Sequence, residues 1–266
     1  MTFWAAYVAL GSVAGVLAGL LGVGGGVVVV PMLVFLFSEQ HMPVLSILHL
    51  ALGTSLASIA LTSIASLLAH HGRGAVDWRV FRRITPGILV GSLVGSWLAA
   101  RLSTRLLQVV FVVFLFYVAT QMLLNTRPQP TRQLPGRGGL LTVGSLIGGI
   151  SSLVGIGGGS MSVPFLLWCN VSARNSIGTS AAIGFPIALA SSVGYVANGL
   201  TAASLPPFCL GFVYLPAFVG ISVTSVLTAP FGATLAHRLP VAQLKRCFAF
   251  LLFVVGLKMA LVAMHH

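Results

Sequence analysis

The chain has 266 residues, 57% hydrophobic and 6% charged, with 14 Lys and Arg against 2 acidic residues and a net charge of +12. A soluble domain carries about 25% charged residues because its surface must meet water, so a water-solvated globule is excluded and lipid is the solvent for most of this surface. A nucleic-acid binder is excluded too: the basic residues fall in short breaks between apolar runs and form no basic face with interleaved aromatics.

The first apolar run, Phe3 to Phe37, is 35 residues long. As one straight helix it would measure about 52 Å at 1.5 Å per residue, against a hydrocarbon core of about 30 Å. It has no basic n-region and continues past any small-residue cleavage site, so it is expected to be retained. Inside it stands Gly22-Val23-Gly24-Gly25-Gly26, followed by Pro31. Each glycine costs a helix about 1 kcal/mol relative to Ala, so the run reads as two short helices joined by a broken elbow. The runs 47–70, 84–100 and 106–124 then suit single spans. Asn125 to Gly139, rich in Pro, Gly and Arg, reads as a loop.

A second overlong run follows, Leu140 to Trp168, broken by Gly155-Ile156-Gly157-Gly158-Gly159 and then Pro164 at the same spacing. After it come 176–197, 207–235 and 247–264. Gly53-Thr54-Ser55 in the first half answers Gly178-Thr179-Ser180 in the second, and Gly95 to Leu102 (GSWLAARL) answers Gly232 to Leu239 (GATLAHRL). These ordered matches identify an internal duplication, with a first repeat at 1–125, a linker at 126–138 and a second repeat at 139–266.

Basic residues mark the cytoplasmic side of a membrane protein. If each overlong run crosses the membrane once, the rule is barely obeyed. If each is a hairpin, Arg73, Arg79, Arg82, Arg83, Arg127, Arg132, Arg137, Arg174, Arg238, Lys245 and Arg246 all fall inside, and only Arg101 and Arg105 outside. Each repeat then has an odd number of full crossings. The expectation is an all-α polytopic membrane protein with two inverted-topology repeats, each a Gly-broken helical hairpin followed by three transmembrane helices, and with both termini outside.

Inverted repeats place a site near the midplane, where broken helices expose backbone N–H groups and a positive dipole end. Gly24, Gly25 and Gly26, with Gly157, Gly158, Gly159 and Ser160, are therefore the candidate anion site. The other reading of these glycines is close helix packing. Thr54, Ser55, Thr179 and Ser180 are candidate hydroxyl donors to an anionic oxygen, or alternatively bond to helix backbone. Ser160 and Ser162 stand where the first elbow has Val27 and Val29, so the second elbow offers more donors.

Arg174 stands four residues before its Gly-Thr-Ser and His49 four before the other, as candidates for attracting an oxyanion. The favoured reading of Arg174 is nevertheless a snorkelling topology anchor. His70-His71 lack a third ligand, so no metal site is expected. The three cysteines, Cys169, Cys209 and Cys247, form no CxxC pair. Glu39 and Asp77 lie in loops, so the spans hold no carboxylate for general acid–base work, and no enzyme and no cofactor are expected.

The twin Gly-Val/Ile-Gly-Gly-Gly-x4-Pro phrases, the repeated Gly-Thr-Ser and the Gly-x-x-Leu-Ala-x-Arg-Leu phrases resemble those of the sulfite exporter TauE/SafE family of membrane permeases. The likeness runs from about residue 8 to 262. It implies a bacterial inner-membrane permease, multi-pass, for small sulfur-containing anions such as sulfite, sulfoacetate and other organosulfonates. On this reading the chain is a secondary transporter working by alternating access around the two elbows. A passive anion channel, or a transporter of a non-sulfur anion such as a carboxylate, remains the alternative. The expected partners are the small anion, the lipid bilayer and a coupling ion, proton or sodium. Gly-rich faces would equally serve a homodimer.

Overall fold

A computed structural model describes residues 2–21, 25–124, 132–202, 205–235 and 241–265. Gly22, Val23 and Gly24 of the first elbow, and 125–131 of the linker, lie outside the described residues. The first half of the chain contains α1 (Thr2–Leu21), α2 (Gly26–Glu39), α3 (Val44–His71), α4 (Trp78–Arg101) and α5 (Thr104–Leu124). The second contains α6 (Arg137–Val154), α7 (Gly159–Trp168), α8 (Ala173–Gly199), α9 (Leu215–Leu235) and α10 (Val241–His265). Both overlong apolar runs are thus divided at their glycines. Among the described residues, seven helices (α1, α3, α4, α5, α6, α8 and α9) are long and apolar enough to cross a membrane.

The run at 207–235 does not begin as a helix. Cys209–Leu210 and Val213–Tyr214 pair antiparallel as β1 and β2, and α9 starts only at Leu215. Pro206 and Pro207 disfavour a helical start, and Gly211 takes the positive φ of 55° that closes the hairpin.

The packing repeats under exchange of the halves. α1 lies along α9 as α6 lies along α4, and α3–α9 answers α8–α4; α3 meets α8 and α5 meets α10. Small residues make the first two seams. A methyl on Gly11 or Gly15 would stand 2.5 or 2.4 Å from the Ile221 or Ser225 carbonyl oxygen of α9. At the corresponding places on α6, Gly144 and Gly148 face the Ile84 and Ile88 carbonyls of α4, each at 2.5 Å. Backbones come this close only where no side chain intervenes, and in lipid such packing substitutes for the missing hydrophobic drive between helices.

α3 and α8 form the buried centre and run in opposite directions. The Arg174 guanidinium at the start of α8 donates to the Arg73 carbonyl just past the end of α3. At the other end of α8, Gly199 packs against Gly211 and Phe212, and the Phe212 carbonyl also meets Gly53 of α3. The outer surface is apolar: Val109, Val113 and Tyr117 on α5 and Phe250, Val254, Leu257 and Leu261 on α10 are all exposed. These stripes face lipid.

Candidate functional site

Gly25 and Gly158 stand immediately before α2 and α7 and share one backbone conformation, φ 70°, ψ −11° and φ 74°, ψ −8°. This left-handed state is the one glycine adopts without a Cβ penalty. Neither residue has a side chain to cap the helix it precedes. The Val28 and Met161 N–H groups are taken by the Gly25 and Gly158 carbonyls at 3.1 Å, which leaves the two amides before each of them at the positive end of the helix dipole.

The two elbows touch. A methyl on Gly26 would lie 2.5 Å from the Gly155 carbonyl oxygen and 3.1 Å from Ile156 Cα. They press on the middle of both central helices. Ser55 of α3 donates to the Gly155 carbonyl at 3.0 Å, with Leu52 against Gly155 and Ile59 against Gly26. On α8, Gly184 faces the Gly157 carbonyl, and Ile187 meets Gly158. Gly25, Gly26 and Gly155 through Ser160 are all buried.

Polar groups are unequal between the elbows. Ser162 donates to the Gly158 carbonyl at 3.0 Å and lies 2.7 Å from the Ser180 hydroxyl. Ser160, in the first turn of α7, is 6% exposed, and its hydroxyl has no hydrogen-bond partner among the described residues. An unmade hydrogen bond in a buried site costs about 1–3 kcal/mol. An orphan hydroxyl beside uncapped amides, with no carboxylate near, suits an acceptor oxygen carrying negative charge.

Of the residues selected from sequence, Gly25, Gly26, Gly157, Gly158, Gly159, Ser55, Ser160 and Ser180 gather around the elbows; Gly24 lies outside the described residues. Thr54 and Thr179 are engaged with backbone: Thr54 accepts the Tyr214 N–H and Thr179 the Asp77 N–H, both at 2.9 Å. Arg174 and His49 are not brought together. Arg174 is exposed, whereas His49 is buried, donates through Nε2 to the Ala99 carbonyl at 3.1 Å and stacks near Phe212. Sequence reasoning missed Gly184 and Ile187, which carry no motif. Among the described residues no group of three or more His, Cys, Asp or Glu could hold a metal ion.

The fold and site define a polytopic helical membrane protein whose two broken helices meet in a buried, carboxylate-free interior. The chain belongs to the sulfite exporter TauE/SafE family, a family of membrane transporters, whose model matches residues 7–259. It is 36% identical over 254 residues to a "Probable membrane transporter protein" of Haemophilus influenzae, covering 95% of this chain and 96% of the relative. It is 26% identical over 250 residues to "Probable membrane transporter protein YdhB" of Bacillus subtilis, covering 91% and 94% of the two chains. "Probable membrane transporter protein MJ0441" of Methanocaldococcus jannaschii is 26% identical over 260 residues, covering 95% and 93%. No solved structure matches the chain.

Proposed function

We propose that this transporter is a secondary permease of the bacterial inner membrane that moves small sulfur-containing anions, sulfite or an organosulfonate. The carrying observation is the buried Ser160 hydroxyl, without a partner among the described residues, at the uncapped start of α7. An SO3-type head accepts the Ser160 O–H and the first amides of α7, while the apolar side chains around Ile187 receive the rest of the substrate. The family description names sulfite export. The antiparallel crossing of α3 and α8 supports two inverted repeats, with alternating access by movement of one half against the other. The basic loops then lie in the cytoplasm.

The test is thermal stabilisation of purified protein across sulfite, thiosulfate, sulfoacetate, taurine, sulfate, phosphate and acetate, because a ligand of the native state raises its melting point. Selective stabilisation by a sulfite or sulfonate, weakened about tenfold in apparent affinity by Ser160→Ala, is expected. Removing a partnerless hydroxyl leaves the ligand-free melting point unchanged or slightly higher. Silence across the panel in folded protein defeats the sulfur-anion reading.

A further inference from the structure

Two contacts at opposite ends of the buried centre are one contact made once in each half. His70, in the last turn of α3, donates through Nε2 to the Gly19 carbonyl of α1 at 3.3 Å. Tyr195, toward the end of α8, donates its hydroxyl to the Ser152 carbonyl of α6 at 3.1 Å. His70 and Tyr195 each stand 17 residues past the glycine of their Gly-Thr-Ser. Gly19 and Ser152 each stand three residues before the first glycine of their elbow. The two contacts thus agree in position while the side chains that make them differ.

Each contact joins a central helix to the helix that leads into an elbow. Because α3 and α8 run in opposite directions, the contacts close opposite ends of the interior. Toward each contact, one face of the central helix carries one residue per turn: Ser58, Thr62, Ser66 and His70 on α3, and Ile183, Ile187, Ser191 and Tyr195 on α8. All eight are at 3% exposure or less. Most of the pairs differ in character, but serine stands one turn before the contact on both helices. Neither the Ser66 nor the Ser191 hydroxyl has a partner among the described residues. The hydroxyl of Ser152, whose carbonyl Tyr195 holds, is a third without one. Buried hydroxyls are rarely left so, and their recurrence just behind each contact points to a polar passage there.

The two mouths beyond the contacts also differ. Past His70, the Arg73 N–H donates to the His70 carbonyl at 3.2 Å, and the Arg174 guanidinium donates to the Arg73 carbonyl. Nη1 of Arg73 is buried and has no partner among the described residues. Past Tyr195, the Phe212 ring stands edge-on with its centroid at 6.4 Å. An anion at the first mouth meets two cations, and at the second an aromatic wall.

We propose that His70 and Tyr195 are the two gates of this transporter. His70 on Gly19 closes the passage from the elbows to the arginine mouth, and Tyr195 on Ser152 closes the opposite passage. Displacement of α1 from α3, or of α6 from α8, breaks one contact at a time and opens the elbows to one side only. The pairing of the gates rests on these contacts and not on which anion is carried. The side each gate faces rests on the topology read above, with His70 cytoplasmic and Tyr195 outer.

The experiment is side-selective thiol labelling without substrate. Ser66→Cys and Ser191→Cys are made singly in protein whose native cysteines are replaced by serine. A membrane-impermeant methanethiosulfonate reagent is added to right-side-out or inside-out vesicles, and Gly138→Cys, at an exposed position with open space around it, reports the side of the arginine mouth. His70→Ala is expected to speed labelling of Ser66→Cys from the Gly138→Cys side about tenfold, the worth of one lost hydrogen bond, without speeding Ser191→Cys. Tyr195→Phe, which removes only the hydroxyl, is expected to speed Ser191→Cys from the opposite side and not Ser66→Cys. His70→Leu replaces His70→Ala if the smaller residue does not yield monodisperse protein. Unchanged rates in both gate variants, labelling of both positions from one side, or an equal rise at both positions overturns the gates. Sides exchanged together with that of Gly138→Cys support the gates and overturn the topology alone. Silence of the anion panel leaves either result standing.

Discussion

The Thr54 hydroxyl accepts the backbone N–H of Tyr214 at 2.9 Å, tying α3 of the first repeat to the start of α9 in the second. Thr179 accepts the N–H of Asp77 at the same length and ties α8 to the start of α4. Beside each threonine a glycine admits the other segment: a methyl on Gly53 would lie 2.3 Å from the Phe212 carbonyl oxygen, and on Gly178 2.4 Å from that of Ala75. The repeated Gly-Thr pair is a clasp between halves. Glycine makes room for a carbonyl, and threonine holds the amide two residues further on.

Thr54→Val or Thr179→Val is expected to destabilise the protein by about 1–3 kcal/mol, because each leaves a backbone N–H unsatisfied. The two sites share no partner, so the double variant should lose roughly the sum. Melting curves in detergent check this. A changed anion preference at an unchanged melting point would place these hydroxyls at the substrate instead.

Gly91→Ala in α4 is expected to abolish recovery of folded protein, since the added methyl would stand 2.0 Å from the Ser145 carbonyl oxygen of α6. Gly136→Ala is expected to be silent, because nothing lies within 4 Å of its methyl and its φ of −60° suits any residue. Monodisperse yield by size-exclusion chromatography compares the two.

At Gly158 two costs add. A Cβ would meet Ile187 Cδ1 at 2.3 Å, and φ is +74°, which costs an L-residue about 1–2 kcal/mol. Gly158→Ala should therefore be strongly destabilised, and Ile187→Val should relieve part of it while leaving the backbone strain. A double-mutant cycle of melting points measures the two shares.

Burial pushes the Cys209 thiol, in the hairpin before α9, up to about 11. The reactive thiolate is then about one part in a thousand at pH 8. Maleimide labelling of a Cys169→Ser/Cys247→Ser variant should be slow at pH 8 and rise about tenfold per pH unit until near 11. Rapid labelling at pH 7 would show the hairpin open.

Inverted repeats with hairpin entries put the two chain ends outside and the turn after α3, with Arg73, inside. A periplasm-active reporter fused to the C-terminus should be active, and one fused after Gly72 inactive. Cytoplasmic activity of the terminal fusion contradicts the topology.

The sequence by itself determined the solvent and the place where both long helices break. Those follow from composition and from local backbone preference: a chain with 6% charged residues cannot face water, and three glycines in a row each weaken a helix by about 1 kcal/mol. Ser58, Thr62 and Ser66 stand at helical spacing in the sequence, which does not say what they face. Only the tertiary structure set Thr62 against Ser225 of the other half, pressed Gly26 onto Gly155, gave Thr54 and Thr179 to backbone amides, and left Ser160 without a partner among the described residues. Each of these depends on which helix of one half lies beside which helix of the other. That choice is made by close contact between small residues, whose identity gives no sign of the partner they face.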